Sequence, residues 1–250
     1  LLAIAQSSLR YAFDEQIDDG FAAANAALSI DPTIAEAHCP LAHRLFEQQR
    51  LPEAVAEIEK ALRLDPDSLE VNKEAGRLAL AGGRVADAAR HYAKAAEVME
   101  SDFHAWAMLV TCLRPLGDED GVRRAAERMI SESRKALSED PSNGAALGIA
   151  AGGLAISGQH DRARETIERA MLLDPDNNTM RYNFACVLAA HMNDNQGALS
   201  LLRTTLIRSK VHCRAATTDP DLDGLRDDPA FRDLLARASG RHGLAVSVAH

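Results

Sequence analysis

The residues of this chain that could support metal or nucleophilic chemistry are nine histidines and four cysteines. Their spacing matches no HExxH or CxxC motif and no close quartet of Cys and His residues. His38 and His43 are five residues apart, which turns them off a common helix face. His212 and Cys213 are adjacent, but a Cys–His nucleophile pair needs a spatial geometry that adjacency does not supply. We therefore predict no metal site and no cofactor.

Phosphate and calcium chemistry also lack a sequence motif. The chain has neither GxxxxGK[ST] nor GxGxxG. The carboxylates between Asp219 and Asp228 miss the EF-hand spacing, so we interpret them as helix caps and turns. The chain is predicted not to be an enzyme. The alternative is a cryptic site, in which His104, Cys112 or Glu132 would lie in a deep pocket with strongly perturbed acidity.

Composition limits the partners and the compartment. The 250 residues carry a formal charge of −9 and contain 4% aromatic residues. The acidic total argues against nucleic-acid binding, which needs a basic face, and favours mild repulsion from anionic membranes, although local basic spots can still exist. No apolar run approaches the roughly 20 residues of a membrane helix, and no signal peptide is visible. Four widely separated cysteines favour reduced thiols. We predict a cytoplasmic protein with no nucleic-acid and no membrane partner.

The elements that must position any binding residue are paired helices. A segment ending in Asp-Pro recurs at 27–32, 61–66, 136–141 and 170–175. Its prolines are 66 − 32 = 34 and 175 − 141 = 34 residues apart, a period typical of stacked-helix arrays. Small residues recur where the two helices of a pair would cross, and the proline ends each second helix. Each pair can bury its apolar face only against a neighbour.

This pattern predicts two helices in each of six repeats. The first helices are expected near 2–13, 34–48, 68–81, 103–114, 143–157 and 177–191, and the second near 17–29, 52–63, 85–98, 119–138, 161–172 and 195–208. The second helix of repeat four is lengthened, to roughly 30 Å at 1.5 Å per residue. Repeat five has an almost bare first helix, with glycines between 148 and 153. Either the long helix packs closely there, or the space receives a partner helix.

Beyond Arg208 the repeat pattern stops. We predict a solenoid over 1–208, a connector and capping helix over 209–240, irregular at 209–218 and helical near 229–238, and a tail over 241–250. Five apolar residues are expected to cover the last exposed face of the array: Leu222, Leu225, Phe231, Leu234 and Leu235. Because the chain begins at Leu1 inside a helical pattern, we expect it to be a piece of a longer protein.

The small and large positions of the repeats resemble those of the tetratricopeptide repeat (TPR). The match rests mainly on repeat two, with Leu41, Ala42, Leu45, Ala54, Ile58, Ala61 and Pro66, and on repeat five, with Ala150, Ala151, Leu154, Ala163, Ile167, Ala170 and Pro175. The resemblance implies an all-α fold, an α-solenoid of about six TPR helix-turn-helix repeats with a C-terminal capping helix. It also implies a concave groove that binds peptides.

A narrower resemblance concerns the C-terminal half. The long fourth repeat and the segments 140–144, 182–186 and 219–231 are similar to the C-terminal TPR region of bacterial class III adenylate/guanylate cyclase-like signalling proteins. This implies a module within a larger bacterial signalling protein, downstream of a catalytic or DNA-binding domain. That domain's activity does not transfer to this chain.

In the TPR family, set positions of each first helix line the groove. The matching peptide-binding candidates are Glu36, His43, Phe46, Lys73, Arg77, His104, Thr111, Arg114 and Tyr182. Lys73, Arg77 and Arg114 could form a basic spot for a peptide carboxylate or an acidic side chain, similar to part of the family's carboxylate clamp. The clamp's asparagine positions, however, hold Leu9 and Pro40 here.

Two further alternatives remain open. The basic side chains could instead be paired with Glu70, Glu74 or Glu36.

The leading functional hypothesis is a non-enzymatic protein–protein interaction module that binds a peptide, a helix or a flanking domain in the groove. The alternative is self-association into a homo-oligomer through exposed ends of the solenoid.

Overall fold

The structure, a computed structural model, describes residues 17–244, apart from the side chains of residues 17–19 and 103. Within 17–244 it contains 13 α-helices, two 3-10 helices and no strand. The expected first helix near 2–13, Leu9 and the end of the tail lie outside the described residues. No helix among those described is long and apolar enough to cross a membrane.

The helices follow the predicted pairs. Repeat one contributes α1 (Ile17–Ile30). Repeat two has a 3-10 turn (Ala35–Ala37), α2 (His38–Glu47) and α3 (Leu51–Leu64); repeat three has α4 (Leu69–Ala81) and α5 (Val85–Val98); repeat four has α6 (Phe103–Leu113) and α7 (Glu119–Glu139). Repeat five has α8 (Gly144–Ile156) and α9 (His160–Leu173), and repeat six has α10 (Asn178–Met192) and α11 (Asn195–Arg208). The prediction of a lengthened α7 is confirmed, at 21 residues.

A recurring cap starts the first helices of repeats three to six. Ser68, Asn143 and Asn177 each stand two residues after a repeat proline, and each side-chain oxygen accepts a hydrogen bond from a backbone N–H of the first turn. Asp102 does the same for α6, where the proline is absent. These polar caps satisfy N–H groups that the helix itself leaves without a partner. Cap and proline together fix the register of repeats three, five and six.

The chain divides into two compact units, residues 1–125 and 126–250. In the first unit each helix from α1 to α6 packs against the next, and α2 also contacts α4. Ala42, Ala54 and Ala61 are fully buried at the crossings of repeat two. Side chains this small let the helix axes approach closely, and Ile58 and Leu78 fill the space between.

In the second unit α8 packs against α9 and α10, and α10 against α11. Gly153 explains part of the bare helix. A Cβ atom there would lie 2.9 Å from Ile130 Cγ1 and 3.0 Å from the Ala126 carbonyl oxygen of α7. The close-packing prediction is therefore confirmed at Gly153. Gly148 differs, since a Cβ there would meet nothing nearer than Phe184 at 3.9 Å.

The prediction of an irregular connector at 209–218 is wrong in one respect. Lys210–Ala216 form a short helix, α12, capped by the Ser209 side chain. Its buried residues Cys213 and Ala216 pack into the core of the second unit, and this burial stabilises a helix too short to be stable alone. The repeat period carries no information about such a segment.

A 3-10 helix (Pro220–Leu225) and α13 (Pro229–His242) complete the second unit. Asp219 and Asp228 accept backbone N–H bonds as N-caps of these two helices, which confirms their interpretation as caps. The five predicted covering residues all join the core. Leu222, Leu225 and Phe231 are fully buried, Leu234 nearly so, and Leu235 partly.

Candidate functional site

The predicted groove residues of the first unit include one directly contacting pair, Phe46 and Arg77. They lie on successive first helices: Glu36 in the 3-10 turn, His43 and Phe46 on α2, Lys73 and Arg77 on α4, His104 and Thr111 on α6, and Arg114 at the C-cap of α6. We refer to these eight residues as the groove surface. Contacts join α2 to α4 and α4 to the start of α6. His43, Phe46, Lys73 and Arg77 are therefore each positioned by two repeats.

Arg77 is the centre of the first cluster. Its Nε donates to Oε2 of Glu74 at 2.8 Å, and a second guanidinium N–H donates to Oε1. The guanidinium carbon lies 4.5 Å from the ring centroid of Phe46, which is a cation–π distance. Nδ1 of His43 lies 3.9 Å from Oε1 of Glu74. Four side chains from α2 and α4 thus hold one another in place.

The charges of this cluster are set by burial and by Glu74. Burial alone would lower the pKa of Arg77, but the hydrogen bonds from Arg77 to Glu74 raise it, so the guanidinium stays charged. Burial, followed by the positive charge of Arg77, lowers the pKa of His43. We therefore assign a neutral imidazole at neutral pH. Arg77 is the cation of the cluster.

Lys73 forms the second link. Its Nζ donates to Oδ2 of Asp102 at 2.7 Å, and the two side chains are only 22% and 12% exposed. Oδ1 of Asp102 accepts from the backbone N–H of Ala105 at 3.0 Å. Burial alone would raise the pKa of Asp102, but the hydrogen bond from Lys73 brings it below its usual value. Asp102 joins α4 to the start of α6.

The positive charges of Lys73 and Arg77 in the expected basic spot are therefore each paired with a carboxylate. Arg77 pairs with Glu74, one of the carboxylates named as an alternative partner, while Lys73 pairs with Asp102, which the sequence reasoning did not select. The only sequence signal for Asp102 is its position just before a first helix. A lysine partner 29 residues away cannot be inferred from the chain order.

Below the groove surface lies a buried thiol. Cys39 is fully buried. Burial, followed by the negative charges of Glu74, Glu70 and Glu36, raises the pKa of its thiol well above the ordinary value. Glu36 itself accepts a hydrogen bond from the Ser68 hydroxyl at 2.9 Å. A protonated thiol of this kind is a poor nucleophile, so Cys39 contributes packing.

The α6 residues of the groove surface are more open. His104 is exposed, and its ring meets Tyr92 edge-on at 6.5 Å between centroids. The Thr111 hydroxyl donates to the Ala107 carbonyl at 3.2 Å, one helical turn back. Cys112 is buried, and burial raises the pKa of its thiol to about 11. The catalytic alternative therefore gains no activated thiol from Cys112.

Tyr182 lies in the second unit, and only 6% of its surface is exposed. Its hydroxyl donates to Oδ2 of Asp219 at 2.8 Å, and the Cys186 thiol contacts the same oxygen at 3.6 Å. The 3-10 helix of the C-terminal segment therefore covers Tyr182. It has no open face for a peptide, and we leave it out of the groove surface.

The sulfur of Cys186 and carboxylate oxygens of Asp219 and Asp221 lie within 4.8 Å of one another. Burial, followed by the charge of Asp219, raises the pKa of the Cys186 thiol far above neutrality, whereas a metal ligand must be a thiolate. Arg226 also donates to the Asp219 carbonyl at 2.8 Å. The chemistry of this group fits a hydrogen-bonded anchor for the C-terminal segment better than a metal site.

Successive paired helices, the 34-residue spacings from Pro32 to Pro66 and from Pro141 to Pro175, and the buried alanines at the crossings of repeat two define the fold as an all-α TPR solenoid. Residues 45–113, which include most of the groove surface, match the family model described as tetratricopeptide repeat. No curated protein matches the chain by sequence.

Solved structures show the same fold. PilF of Pseudomonas aeruginosa is 16% identical, with 94% of this chain and 96% of that chain covered and a TM-score of 0.53. The thermophilic TPR protein TTC0263 of Thermus thermophilus is 19% identical, with coverage of 84% and 100% and a TM-score of 0.51. Human IFIT1, solved as a dimer with PPP-AAAA, is 14% identical, with coverage of 90% and 55% and a TM-score of 0.54. The prediction that this chain has no nucleic-acid partner stays a prediction.

Proposed function

We propose that the chain is a non-enzymatic protein-interaction module, and that its groove surface binds a peptide or helix of a partner protein, or a flanking domain. The carrying observation is the stacked pair of Arg77 and Phe46 next to the Lys73–Asp102 pair on successive first helices. It supplies an aromatic face and two fixed cations on one surface.

The pairing of the cations supports binding. A guanidinium has five N–H donors and an ammonium three. Glu74 takes two donors of Arg77, and Asp102 takes one of Lys73. Both cations remain partly exposed, at 30% and 22%. Each is pre-positioned by its carboxylate and retains donors for a partner's carbonyl or carboxylate group, which lowers the entropy cost of binding.

The direct test is selection of binders from a random peptide library on the folded chain, followed by titration of the selected peptides. We expect Lys73→Glu with Arg77→Glu to weaken their binding by about tenfold or more, since the new carboxylates repel the groups that the cations attract. The matched control is Arg84→Glu, at the N-cap of α5, with Arg90→Glu on α5, which changes the net charge equally. Selected peptides that bind the groove variant as tightly as the native chain would remove the assignment.

Self-association is the second candidate function, favoured by a row of exposed apolar residues. Ile30, Leu64 and Val98, all in the first unit, recur at the ends of successive second helices and are 76%, 43% and 44% exposed. A second copy could cover this row. Light scattering across a concentration series should show a mass that rises with concentration and falls for Leu64→Ser with Val98→Ser. A constant monomer mass would contradict it.

The finer assignment, a cytoplasmic module of a larger bacterial signalling protein, is supported by the sequence resemblance of the C-terminal half. The reading frame upstream of Leu1 tests it. We expect that frame to encode a cyclase, kinase or DNA-binding domain, and a frame without one would overturn the assignment.

A further inference from the structure

A furrow of about 270 Å³ lies among α7, α8 and α9 of the second unit. Its floor is aliphatic, with Ile130 and Leu137 from α7 and Leu147, Ala150 and Leu154 from α8. Its rim carries Arg134, Arg162 and Arg169, with Glu165 as the one lining carboxylate and Thr166 beside it. We call this set the basic furrow. It runs along the second helices and shares no residue with the groove surface.

The first unit contains a counterpart, about 230 Å³ in volume, among α3, α4 and α5. The two furrows correspond at a fixed sequence offset, because Pro66 and Pro141 end equivalent helices 141 − 66 = 75 residues apart. Eight of the lining positions coincide at this offset, which pairs Val55 with Ile130, Glu59 with Arg134, Leu62 with Leu137, Ala75 with Ala150, Ala79 with Leu154, Asp87 with Arg162, Arg90 with Glu165 and His91 with Thr166.

The floors are alike, but the charges differ. In the counterpart, Glu59 and Asp87 balance Arg84 and Arg90, which gives a sum of zero with histidine neutral. Asp87 lies 3.4 Å from Arg84 and 2.6 Å from Arg90, so one carboxylate holds both cations. The counterpart in the first unit therefore has no net charge, and both of its arginines already have a carboxylate partner.

In the basic furrow, three arginines against Glu165 give a sum of +2. Arg162 donates to the Gln159 amide oxygen, and Arg169 donates to the Pro141 carbonyl at 2.7 Å. Among residues 17–244, none of these three guanidinium groups is paired with a carboxylate. Arginines in this state are the group best suited to bind carboxylates of another molecule, often in bidentate geometry.

Two exposed apolar residues of α9 lie outside the furrow lining but close to it along the helix. Leu172 and Leu173 follow Arg169 by three and four residues, on the same face of α9, and are 83% and 49% exposed. An occupant must therefore offer both carboxylates and a stripe of apolar side chains. Nucleic acid fits less well, since bases stack on aromatic rings and the lining contains none.

We propose that the basic furrow is a second docking site, which takes an acidic amphipathic helix of a partner protein. The apolar stripe of that helix would cover the aliphatic floor and extend to Leu172 and Leu173, and its carboxylates would meet Arg134, Arg162 and Arg169. The counterpart in the first unit lacks the free positive charge and does not take the same ligand. This proposal does not depend on the groove surface.

The test uses a fluorescent peptide of about 18 residues with leucines at helical i, i+3, i+4, i+7 spacing and glutamates elsewhere. Fluorescence anisotropy at about 0.15 M salt should show saturable binding to the native chain. Arg134→Glu with Arg162→Asp places the counterpart's charges in the basic furrow, and should raise the Kd by about tenfold or more. Thr166→Trp, which fills the furrow without changing the charge, should do the same.

Matched controls separate this site from general electrostatics. Arg84→Glu with Arg90→Glu changes the net charge by the same amount in the counterpart and should leave the Kd within about threefold. Lys73→Glu with Arg77→Glu tests whether the peptide binds the groove surface instead: a Kd within about threefold of the native value assigns the peptide to the basic furrow, and a rise as large as that of the furrow variant assigns it to the groove surface. Circular dichroism melts verify that each variant is folded. If Arg134→Glu with Arg162→Asp unfolds the chain, the Kd measured for Thr166→Trp tests the proposal instead.

Three results would overturn the proposal. The peptide could show no saturable binding, or a peptide with scrambled leucine positions could bind equally well. The two furrow variants could also bind the peptide as tightly as the native chain does. A single-stranded oligoadenylate that binds more tightly than the peptide, and is lost in Arg134→Glu with Arg162→Asp, would assign the furrow to nucleic acid instead.

Discussion

Asp102 shows how one side chain can serve two helices. One carboxylate oxygen caps α6 through Ala105, and the other accepts the hydrogen bond from Lys73 on α4. Because the pKa of Asp102 is lower in the folded chain than in the unfolded chain, the unfolded chain binds more protons as the pH falls. The stability from Asp102 is complete above the unfolded pKa and is lost as the pH drops through the folded pKa.

Asp102→Asn should therefore lower the free energy of unfolding by about 1–3 kcal/mol at pH 7, through loss of a partly buried charge pair. The difference between variant and native chain should shrink as the pH falls below about 4, the ordinary pKa of an aspartate, and then through the lower pKa that Asp102 has in the folded chain. Urea unfolding followed by circular dichroism across this pH range measures both effects.

Asp67→Asn is the matched control. Asp67 pairs with Lys94 at 2.6 Å, but the two side chains are 72% and 41% exposed. An exposed pair of this kind contributes about 0–1 kcal/mol. Equal losses for both variants would mean that the link between α4 and α6 has no special role in stability.

At the scale of the element, α8 contains two glycines with opposite expectations. At Gly153 a methyl group would press against Ile130 and the Ala126 carbonyl of α7. At Gly148 it would meet only Phe184, at an ordinary contact distance. The same helix therefore provides both the test and its control.

Gly153→Ala should destabilise the chain by about 1–2 kcal/mol, since the cost of overpacking exceeds the gain in helix propensity. Gly148→Ala should stabilise it, by up to about 1 kcal/mol. Thermal melts of the two variants decide the matter. Stabilisation by both would show that α7 shifts readily and that its close approach to α8 is not fixed.

The helices were predictable because their signals are local. The Asp-Pro period and the small crossing residues gave the bounds of the described repeat helices to within a few residues. The same logic failed at α12, which is helical because Cys213 and Ala216 are buried against distant residues. It also failed for the partner of Lys73, because side-chain pairs across repeats depend on the packing of two helices that the chain order does not specify.

At the scale of the whole molecule, the C-terminal segment completes the core of the second unit. Phe184, Leu202 and Leu206 share one cluster with Leu222 and Phe231. Deleting residues 209–250 would expose this cluster to water. Repeat arrays need such covering elements, because each repeat buries its apolar face only against a neighbour.

Phe231→Ala should lower the free energy of unfolding by about 3–5 kcal/mol, because it removes the side chain of a fully buried phenylalanine. Hydrogen exchange measured by mass spectrometry should show faster exchange in α10, α11 and α13, while α2 to α5 of the first unit keep their native rates. Uniformly faster exchange in both units would show instead that the chain unfolds as one cooperative block.

The four cysteines, finally, affect how the chain can be handled at the bench. Cys39, Cys112, Cys186 and Cys213 are all free and all buried. Thiol-directed dyes react with accessible thiolates, so a single cysteine introduced on an exposed helix face would be labelled far ahead of the native four. Fluorescent or spin probes could then be attached beside either proposed docking surface without first removing any native residue.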